Sequence, residues 1–387
     1  MDSKYIQNEN VKEGLNPIRT KNIFENIKSK YILQKILDKF SKMKLLNIIK
    51  YNKKAQKRLD LSINDYMNYS LIIIEITPSK NKLGKFINIK NGEESYYKIY
   101  FNDRKEEIKR QYLKETDKVT KITIKIGYQV KSLSRLFLEC KCIESIYLNK
   151  LYRENINDIS YMFHLCTSLK EINISNSDTN NIINMSNIFN GCISLNSLDL
   201  SNFNFNKVKN MSNMFLRCES LKKINLCNNH INTNSSIIMS GMFLGCSSLE
   251  EVTISNFNIN DMSCMFYECP SLKKLNISNC NTNNLVYIYD MFYNCSSIEE
   301  IDLSSLNTNK VLSMSDLFYG CSSLKKLNIS NFDTSNVTNM NNMFFECRSL
   351  KEINTKKLIT NKVTNMNDML SGCTEELKIL IKNRIII

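Results

Sequence analysis

Cysteine is the residue type with the most chemical potential in this 387-residue sequence, which contains 14 cysteines, two histidines and no tryptophan. Thiols bind zinc, form disulfides or act as nucleophiles, and each use requires its own arrangement. Zinc sites use paired ligands, but Cys140 and Cys142 are the one close pair, and no second pair of matching spacing lies nearby. The sequence therefore predicts no metal site, and it suggests no other cofactor.

Ten of the cysteines recur at a nearly constant interval. Successive gaps are 26, 26, 26, 28, 23, 26, 26, 26 and 26 residues. Side chains at one repeated position point in parallel directions, which does not aim two sulfurs at each other for a disulfide. We therefore predict a buried, reduced column of small side chains. The column consists of Cys140, Cys166, Cys192, Cys218, Cys246, Cys269, Cys295, Cys321, Cys347 and Cys373.

Other catalytic arrangements are not expected either. His164 and His230 have no sequence partner for a Cys-His or Ser-His arrangement. Gly92 and Gly127 are isolated, so no glycine-rich phosphate loop is present. The sequence therefore predicts a protein that is not an enzyme and has no catalytic residues.

The column belongs to a repeat with its own apolar pattern. A phenylalanine lies three residues before each of the first nine column cysteines, and Leu370 replaces it in the last copy. Two apolar residues, such as Ile224 and Leu226, follow most of these cysteines by six and eight residues, which predicts a short strand with one buried face. The Met-Ser-x-Met-Phe stretch before the cysteine, as at 211–215, predicts a helical turn. Such a unit cannot bury its apolar side alone, so the coils must stack.

This repeat resembles the BspA-like leucine-rich repeat family over residues 131–380. Met314, Cys321, Leu324, Phe332 and Met340 follow the family pattern nearly position by position. The resemblance implies an α/β fold: a leucine-rich-repeat-type right-handed solenoid of about ten 26-residue coils with a parallel sheet. Family members are often bacterial surface adhesins, but this sequence shows no signal peptide, lipoprotein cysteine or wall anchor. We therefore expect an intracellular, cytoplasmic protein.

The region before the repeats divides into three parts. We expect a flexible N-terminus over residues 1–21, a helical region over 22–70 and a β-rich cap over 71–130, followed by the solenoid over 131–387. Strands are predicted at 71–76, 85–89, 96–101 and 119–126, with Asn91-Gly92 as a hairpin turn. The last of these strands is expected to cap the first coil.

Two features of the N-terminal third suggest alternative functions. Residues 1–130 contain 28 Lys+Arg and 15 Asp+Glu, a net charge of +13, whereas residues 131–387 have a net charge of +1. A basic region of this kind can bind RNA or an anionic membrane, although no nucleic-acid-binding module or membrane span is recognisable, so neither partner is expected. Residues 29–37, 45–49 and 57–59 are loosely similar to an F-box, which implies a substrate-recognition subunit of a ubiquitin ligase.

The repeat surface carries two rows of polar residues. Five residues after the column cysteine, charges alternate in sign from Lys223 through Glu251 to Glu352, which would disfavour a one-coil slip. Seven residues after the cysteine, the row is mostly Asn and Asp. A third feature is the irregular spacing near Cys246, because insertions into solenoids often lie on the binding side.

We therefore predict a non-enzymatic scaffold that binds another protein through its repeat surface. The sequence leaves the identity of that protein and the oligomeric state open. The candidate partner-binding residues are Asn173, Asp199, Asn225, Asn276, Asp302 and Asn328 in the polar row, with Asn228, Asn229 and His230 in the inserted turn.

Overall fold

The computed structural model describes residues 35, 56–57, 70–80, 82–150, 155–174, 179–228, 236–356 and 358–386. The chain divides into two compact units, Met1–Leu71 and Ile72–Ile387. In the first unit Lys35, Gln56 and Lys57 have helical backbone. The predicted flexible N-terminus and the rest of the predicted helical region, apart from Ser70, lie outside the described residues, as do nearly all of the F-box-like segments.

The regular secondary structure of the second unit consists mainly of short strands. The cap contains β1 (Ile72–Pro78), β2 (Gly84–Lys85), a 3-10 turn (Glu94–Tyr96), β3 (Tyr97–Phe101), β4 (Tyr112–Leu113) and β5 (Ile122–Ile126). The repeats contain β6 (Ile143–Lys150), β7 (Glu171–Asn173), β8 (Lys223–Cys227), β9 (Ile237–Ile238), β10 (Glu251–Ser255), β11 (Ile259–Asp261), β12 (Lys274–Ser278), β13 (Glu300–Asp302), β14 (Lys326–Ile329), β15 (Glu352–Thr355), β16 (Leu358–Ile359), helix α1 (Glu375–Lys382) and β17 (Ile385–Ile386).

The cap strands form an antiparallel sheet that continues into the repeats. The strand order is β3-β5-β1-β6-β7, and β1 pairs antiparallel with both β5 and β6. The strand that adjoins the first coil is therefore β1, and the expectation that residues 119–126 do so is wrong. In β1 and β5 alternate side chains are buried, because one face of this sheet packs on the core.

The predicted hairpin at Asn91-Gly92 is also wrong. Gly92 does form a turn, with φ of 85°, but β3 pairs with β5 and β2 pairs with β4. The residues before the turn bond to the first repeat instead, because Asn88 donates its backbone N–H to Leu136 O at 2.7 Å and its side-chain amide to Leu138 O at 2.6 Å.

The repeats stack as a solenoid with parallel strands, as predicted. Parallel pairs are β6–β7, β8–β10–β12 and β13–β14–β15. The sheet is not continuous across the coils, however. It is interrupted between β7 and β8, where residues 197–199 form no strand, and again between β12 and β13.

The segment before each column cysteine is not the predicted helical turn. Two residues in each copy have left-handed backbone, five and one positions before the cysteine; Asn213 (φ 55°) and Arg217 (φ 54°) are one such pair. Alternate N–H groups bond to the next coil, as Phe215 does to Met242 O at 2.8 Å. The intervening N–H groups bond to the carbonyl three residues earlier and so close four-residue turns. A helix directs its hydrogen bonds along its own axis, so it could not make these bonds between coils.

Two ladders run through the core. The nine repeated phenylalanines from Phe137 to Phe344 stack with centroids 5.5–5.7 Å apart and planes within 16° of parallel. The column cysteines are buried and carry free thiols. From Cys166 onward, each thiol donates to the backbone carbonyl of the phenylalanine in the preceding coil, at 2.9–3.2 Å. Both ladders confirm the predicted stacking, including its passage through the irregular coils.

The charged row keeps its predicted register. Glu251 lies between Lys223 and Lys274 in adjacent strands, and it forms an ion pair of 2.8 Å with Lys223. Glu300 likewise pairs with Lys326 at 3.4 Å. At the C-terminal end, α1 buries Leu377 and Ile381, and its N-cap Thr374 accepts the Leu377 N–H at 3.3 Å.

Candidate functional site

The interruption of the sheet at the Cys192 coil opens a cleft of about 690 Å³. Leu198 and Leu200 occupy the positions that are buried in the neighbouring strands, yet residues 197–199 form no strand. Among the described residues, no backbone hydrogen bond joins 197–199 to β7 or β8. The cleft is lined by β7, residues 197–203 and β8.

A change in the core accompanies this irregularity. In regular coils a buried threonine connects two coils, as Thr308 does when it accepts the Asp333 N–H at 2.8 Å and donates to Asp333 O at 3.0 Å. In the coil of Cys192 this row position is Phe205, which is fully buried and packs 5.1 Å from the ring of Phe203. A phenyl ring cannot make these hydrogen bonds, so at this position the contact between the coil and the next one is apolar.

The rim of the cleft is polar, and it brings together three of the predicted partner-binding residues. Asn173, Asp199 and Asn225 line it with exposed side chains. Asp199 accepts the backbone N–H of Ser201 at 2.8 Å, and hydrogen bonds from the Ser201 backbone and hydroxyl lower the pKa of this carboxyl. Asp199 is therefore ionised at neutral pH.

The floor of the cleft is apolar. Ile174 and Leu198 are partly exposed, and Leu200 and Phe203 lie below them. A small void of about 20 Å³ lies against Ile174, Leu200 and Phe203, and it is lined by apolar side chains and Thr179. Packing is looser here than in a filled core, so the floor has room to adapt to an apolar group placed on it.

The remaining predicted residues are placed elsewhere. Asn276 lies on β12, Asp302 on β13 and Asn328 on β14, all outside the cleft. Asn228 is fully buried and donates its backbone N–H to Ser255 O at 3.1 Å, so its side chain does not reach the surface. Asn229 and His230 lie outside the described residues.

Three residues that distinguish this cleft are not among the predicted partner-binding residues. Glu171 and Lys223 add charges of opposite sign to the rim, and Leu198 supplies the exposed apolar surface. One available signal is Phe205, which occupies a row filled by threonine at positions 179, 282, 308, 334 and 360.

Nucleophilic and metal chemistry find little support in the geometry. Among the described residues, no three His, Cys, Asp or Glu side chains form a group that could hold a metal ion. Burial raises the pKa of the column thiols, to about 12 for Cys269. His164 lies 3.1 Å from Asn190 O through Nδ1, and its partial burial lowers its pKa.

The fold and the repeats define the class of protein, a leucine-rich-repeat-type solenoid with BspA-type repeats. A family model described as "Mycoplasma protein of unknown function, DUF285" matches residues 131–257, 221–326 and 288–380, and the chain belongs to this family. The model described as "BspA type Leucine rich repeat region" matches residues 64–181, so its match extends into the cap. No curated protein sequence matches the chain.

Solved structures that match the chain are distant in sequence. A leucine rich cell surface protein from Faecalibacterium prausnitzii A2-165 is 15% identical, with 59% of this chain and 84% of that chain covered and a TM-score of 0.20. A chain of the TLR13-ssRNA13 complex is 15% identical, with 60% of this chain and 35% of that chain covered and a TM-score of 0.25. A chain of the Toll–Spatzle complex of Drosophila is 16% identical, with 62% of this chain and 36% of that chain covered and a TM-score of 0.26. This chain thus spans about a third of the TLR13 and Toll chains.

Within the part of the chain that the structure describes, no helix combines the length and apolar character needed to cross a bilayer.

Proposed function

We propose that this protein is a non-enzymatic scaffold that binds another protein through its repeat surface, with the cleft between β7 and β8 as the principal contact. A leucine-rich-repeat-type solenoid with BspA-type repeats supports an interaction role in general. Stacked coils hold their surface residues in fixed positions, so a partner is bound with little loss of conformational entropy on the scaffold side.

The observation that carries this proposal is the composition of the cleft. Asn173, Asp199 and Asn225 meet there above an apolar floor that is partly open. Interfaces with a hydrophobic centre and a polar rim are typical of specific protein contacts. A partner side chain on Leu198 would bury apolar surface, while Asp199 and Lys223 would fix its orientation.

The test compares two substitutions at the same repeat position. Asp199 lies in the cleft, whereas Asp302 lies on β13, and both carboxylates accept the N–H two residues on, at 2.8 and 2.9 Å. We expect Asp199→Lys to reduce recovery of the specific partner by at least about tenfold in quantitative capture from the native cell. Asp302→Lys should leave recovery unchanged, because it removes the equivalent local hydrogen bond at a position outside the cleft.

Equal recovery with both variants would refute the cleft as the contact. Recovery that depends instead on residues 22–70, through co-purification with a ubiquitin-ligase adaptor, would favour the F-box-like alternative. An RNA or liposome interaction that weakens steeply with added salt would favour the basic N-terminal alternative.

A further inference from the structure

Four aromatic side chains form a second stack outside the phenylalanine ladder. Tyr267, Tyr293, Tyr319 and Phe345 lie two residues before the column cysteine in successive coils. Their ring centroids are 4.3–4.6 Å apart, and their planes are within 7° of parallel. We call these four residues the aromatic strip. Each is partly exposed, so the strip presents ring edges and hydroxyl groups rather than ring faces.

The aromatic strip is not needed to fill the core. The buried phenylalanine ladder passes through the same coils, and at the strip position the earlier coils have Leu138, His164, Asn190, Leu216 and Leu244. Two further large apolar side chains in these coils, Tyr287 and Leu312, are 50% and 53% exposed. Tyrosine is enriched at protein interfaces, where it offers a large rigid contact with a polar tip.

Carboxylates border the aromatic strip on both sides in sequence. Asp290 and Asp316 lie three residues before Tyr293 and Tyr319, and Glu268 and Glu346 directly follow Tyr267 and Phe345. Cations are rare in the turn segments of the last five coils. From nine residues before the column cysteine to one residue after it, these five segments contain a single Lys or Arg, which is Arg348. They contain six carboxylates, Asp261, Glu268, Asp290, Asp316, Glu346 and Asp368.

The two central carboxylates have no cation among the described residues. Asp316 accepts amide N–H groups from Asn341 and Asn342 at 3.3 and 2.9 Å. Asp290 is partly buried, and the contact of its carboxylate is the Cys264 thiol, 3.9 Å away. No described Lys or Arg forms an ion pair with either one, whereas other carboxylates of the solenoid, such as Glu251 and Glu300, do.

This absence has an electrostatic consequence. Burial and the nearby charge of Asp316 raise the pKa of Asp290 to about 6. The ionised form that predominates at neutral pH is therefore held at a cost, which a cation placed beside it would reduce. The Tyr293 phenol remains neutral at this pH, because burial and the neighbouring Tyr319 raise its pKa to about 12.

We propose that the aromatic strip and the Asp290–Asp316 pair form a docking surface for a basic segment of a protein partner. Lysine or arginine head groups would lie against Asp290 and Asp316, and their aliphatic stems would pack along the ring edges of the strip. This surface differs from the cleft between β7 and β8 and does not depend on it. The carboxylates would repel a nucleic-acid backbone, so the occupant is cationic.

A labelled peptide of alternating lysine and serine provides the probe, with a glutamate–serine peptide of equal length as its control. Fluorescence anisotropy with the full chain at low salt should show binding of the lysine peptide and not of the glutamate peptide. Asp290→Asn with Asp316→Asn should weaken binding by at least about fivefold. The matched control, Asp302→Asn with Asp333→Asn, removes the same charge away from both the aromatic strip and the cleft and should change binding little.

A second pair of variants tests the aromatic contribution separately. Tyr293→Ser with Tyr319→Ser should also weaken peptide binding, whereas Leu216→Ser with Leu244→Ser changes the same row outside the aromatic strip and should not. Circular dichroism establishes that each variant is folded before binding is measured. Unchanged binding by the Asp290/Asp316 variant, or an equal loss in its control, would overturn the proposal.

The remaining outcomes are also decisive. Self-association of the full chain that the Asp290/Asp316 variant abolishes would show that the occupant is a second copy, and would overturn the assignment to another protein. Because the probe does not use the cleft, a negative result here leaves the Asp199 test unaffected, and the reverse also holds.

Discussion

Cys295 donates its thiol hydrogen bond to the backbone carbonyl of Phe266 in the preceding coil, with 3.0 Å between Sγ and the oxygen. The same carbonyl accepts the N–H of Cys269 from its own coil at 3.2 Å. The thiol therefore joins two coils in addition to filling space in the core. A thiol is small enough for the column and can still donate a weak hydrogen bond, which alanine cannot.

Removing one column thiol should destabilise the solenoid. We expect Cys295→Ala to lower the free energy of unfolding by about 1–2 kcal/mol, because it leaves a small cavity and removes one bond between coils. Urea unfolding followed by circular dichroism measures the change. Cys280→Ala is the control, since Cys280 lies off the column and is partly exposed. Equal losses from the two substitutions would contradict a structural role of the column.

Stability should fall in alkaline solution because the folded protein keeps its column thiols protonated. Burial raises the pKa of Cys269 from its ordinary 9.0 to about 12. Its contribution is therefore complete below pH 9 and is lost as the pH rises from 9 towards 12. At pH 10, one unit above the ordinary value, the loss is about 1.4 kcal/mol for each such thiol.

The comparison of wild type with Cys269→Ala isolates this effect. Urea midpoints measured from pH 7 to pH 10 should fall less steeply for the variant, by about the contribution of one thiol. Parallel pH profiles would show that Cys269 does not remain protonated in the folded state.

Gly320 provides a test of the contact between coils in the turn segment. Its φ is 68°, and a Cβ built there would meet Oδ1 of Asn294 in the preceding coil. Gly320→Ala should therefore cost about 1 kcal/mol for the left-handed backbone, plus a smaller amount for moving the Asn294 side chain aside. Gly92→Ala is a matched control, since Gly92 has φ of 85° and nothing within 4 Å of the added carbon.

The control should show the backbone cost alone, about 1 kcal/mol. Adding Asn294→Ala to Gly320→Ala should recover the part that comes from the contact, and a double-mutant cycle measures it. A cycle without coupling between the two positions would contradict a contact between residue 320 and the Asn294 side chain.

The stack of coils could be predicted from the sequence because its signal is a regular period. Phe266 and Cys269 recur with their equivalents every 26 residues or nearly so, and a repeated apolar unit has to bury its side against its neighbour. The pairing of Lys223 with Glu251 followed from the same register. These features depend only on the spacing of residues, which can be read from the sequence.

The turn before each cysteine could not be predicted by the same reasoning. Apolar spacing at 211–215 fits a helix as well as the alternating turns that the structure contains. The available signal is at the two left-handed positions, where Gly, Asn and Asp are frequent, as at Asn213 and Gly241. These residue types tolerate left-handed backbone and are poor choices for a helix.

The candidate cleft was only partly predictable. Asn173, Asp199 and Asn225 were identified by their row, but so were Asp302 and Asn328, which lie outside the cleft. Leu198 follows the strand pattern of its neighbours, so nothing in its local sequence indicates a missing strand. The interruption accompanies the packing of Phe203 against Phe205. The repeat period does not predict this packing.

Reversing one charge in the charged row should destabilise the solenoid. Glu251→Lys places three like charges in register with Lys223 and Lys274, and we expect a lower thermal midpoint. Converting Lys223 and Lys274 to glutamate in the same protein should restore the midpoint, because opposite charges again face each other across β8, β10 and β12, and the sheet is interrupted before Glu300. The difference should shrink in high salt, which screens exposed charges. A salt-independent effect, or no rescue, would exclude charge alternation as the cause.

The most direct test of protein binding by the repeat surface is amide hydrogen exchange on the full chain, with and without the partner recovered through the Asp199 comparison. Slower exchange on partner addition is predicted in residues 171–174, 197–203 and 223–227, which line the cleft. Protection confined to residues outside the repeats, with these three segments unchanged, would contradict a scaffold that binds through its solenoid.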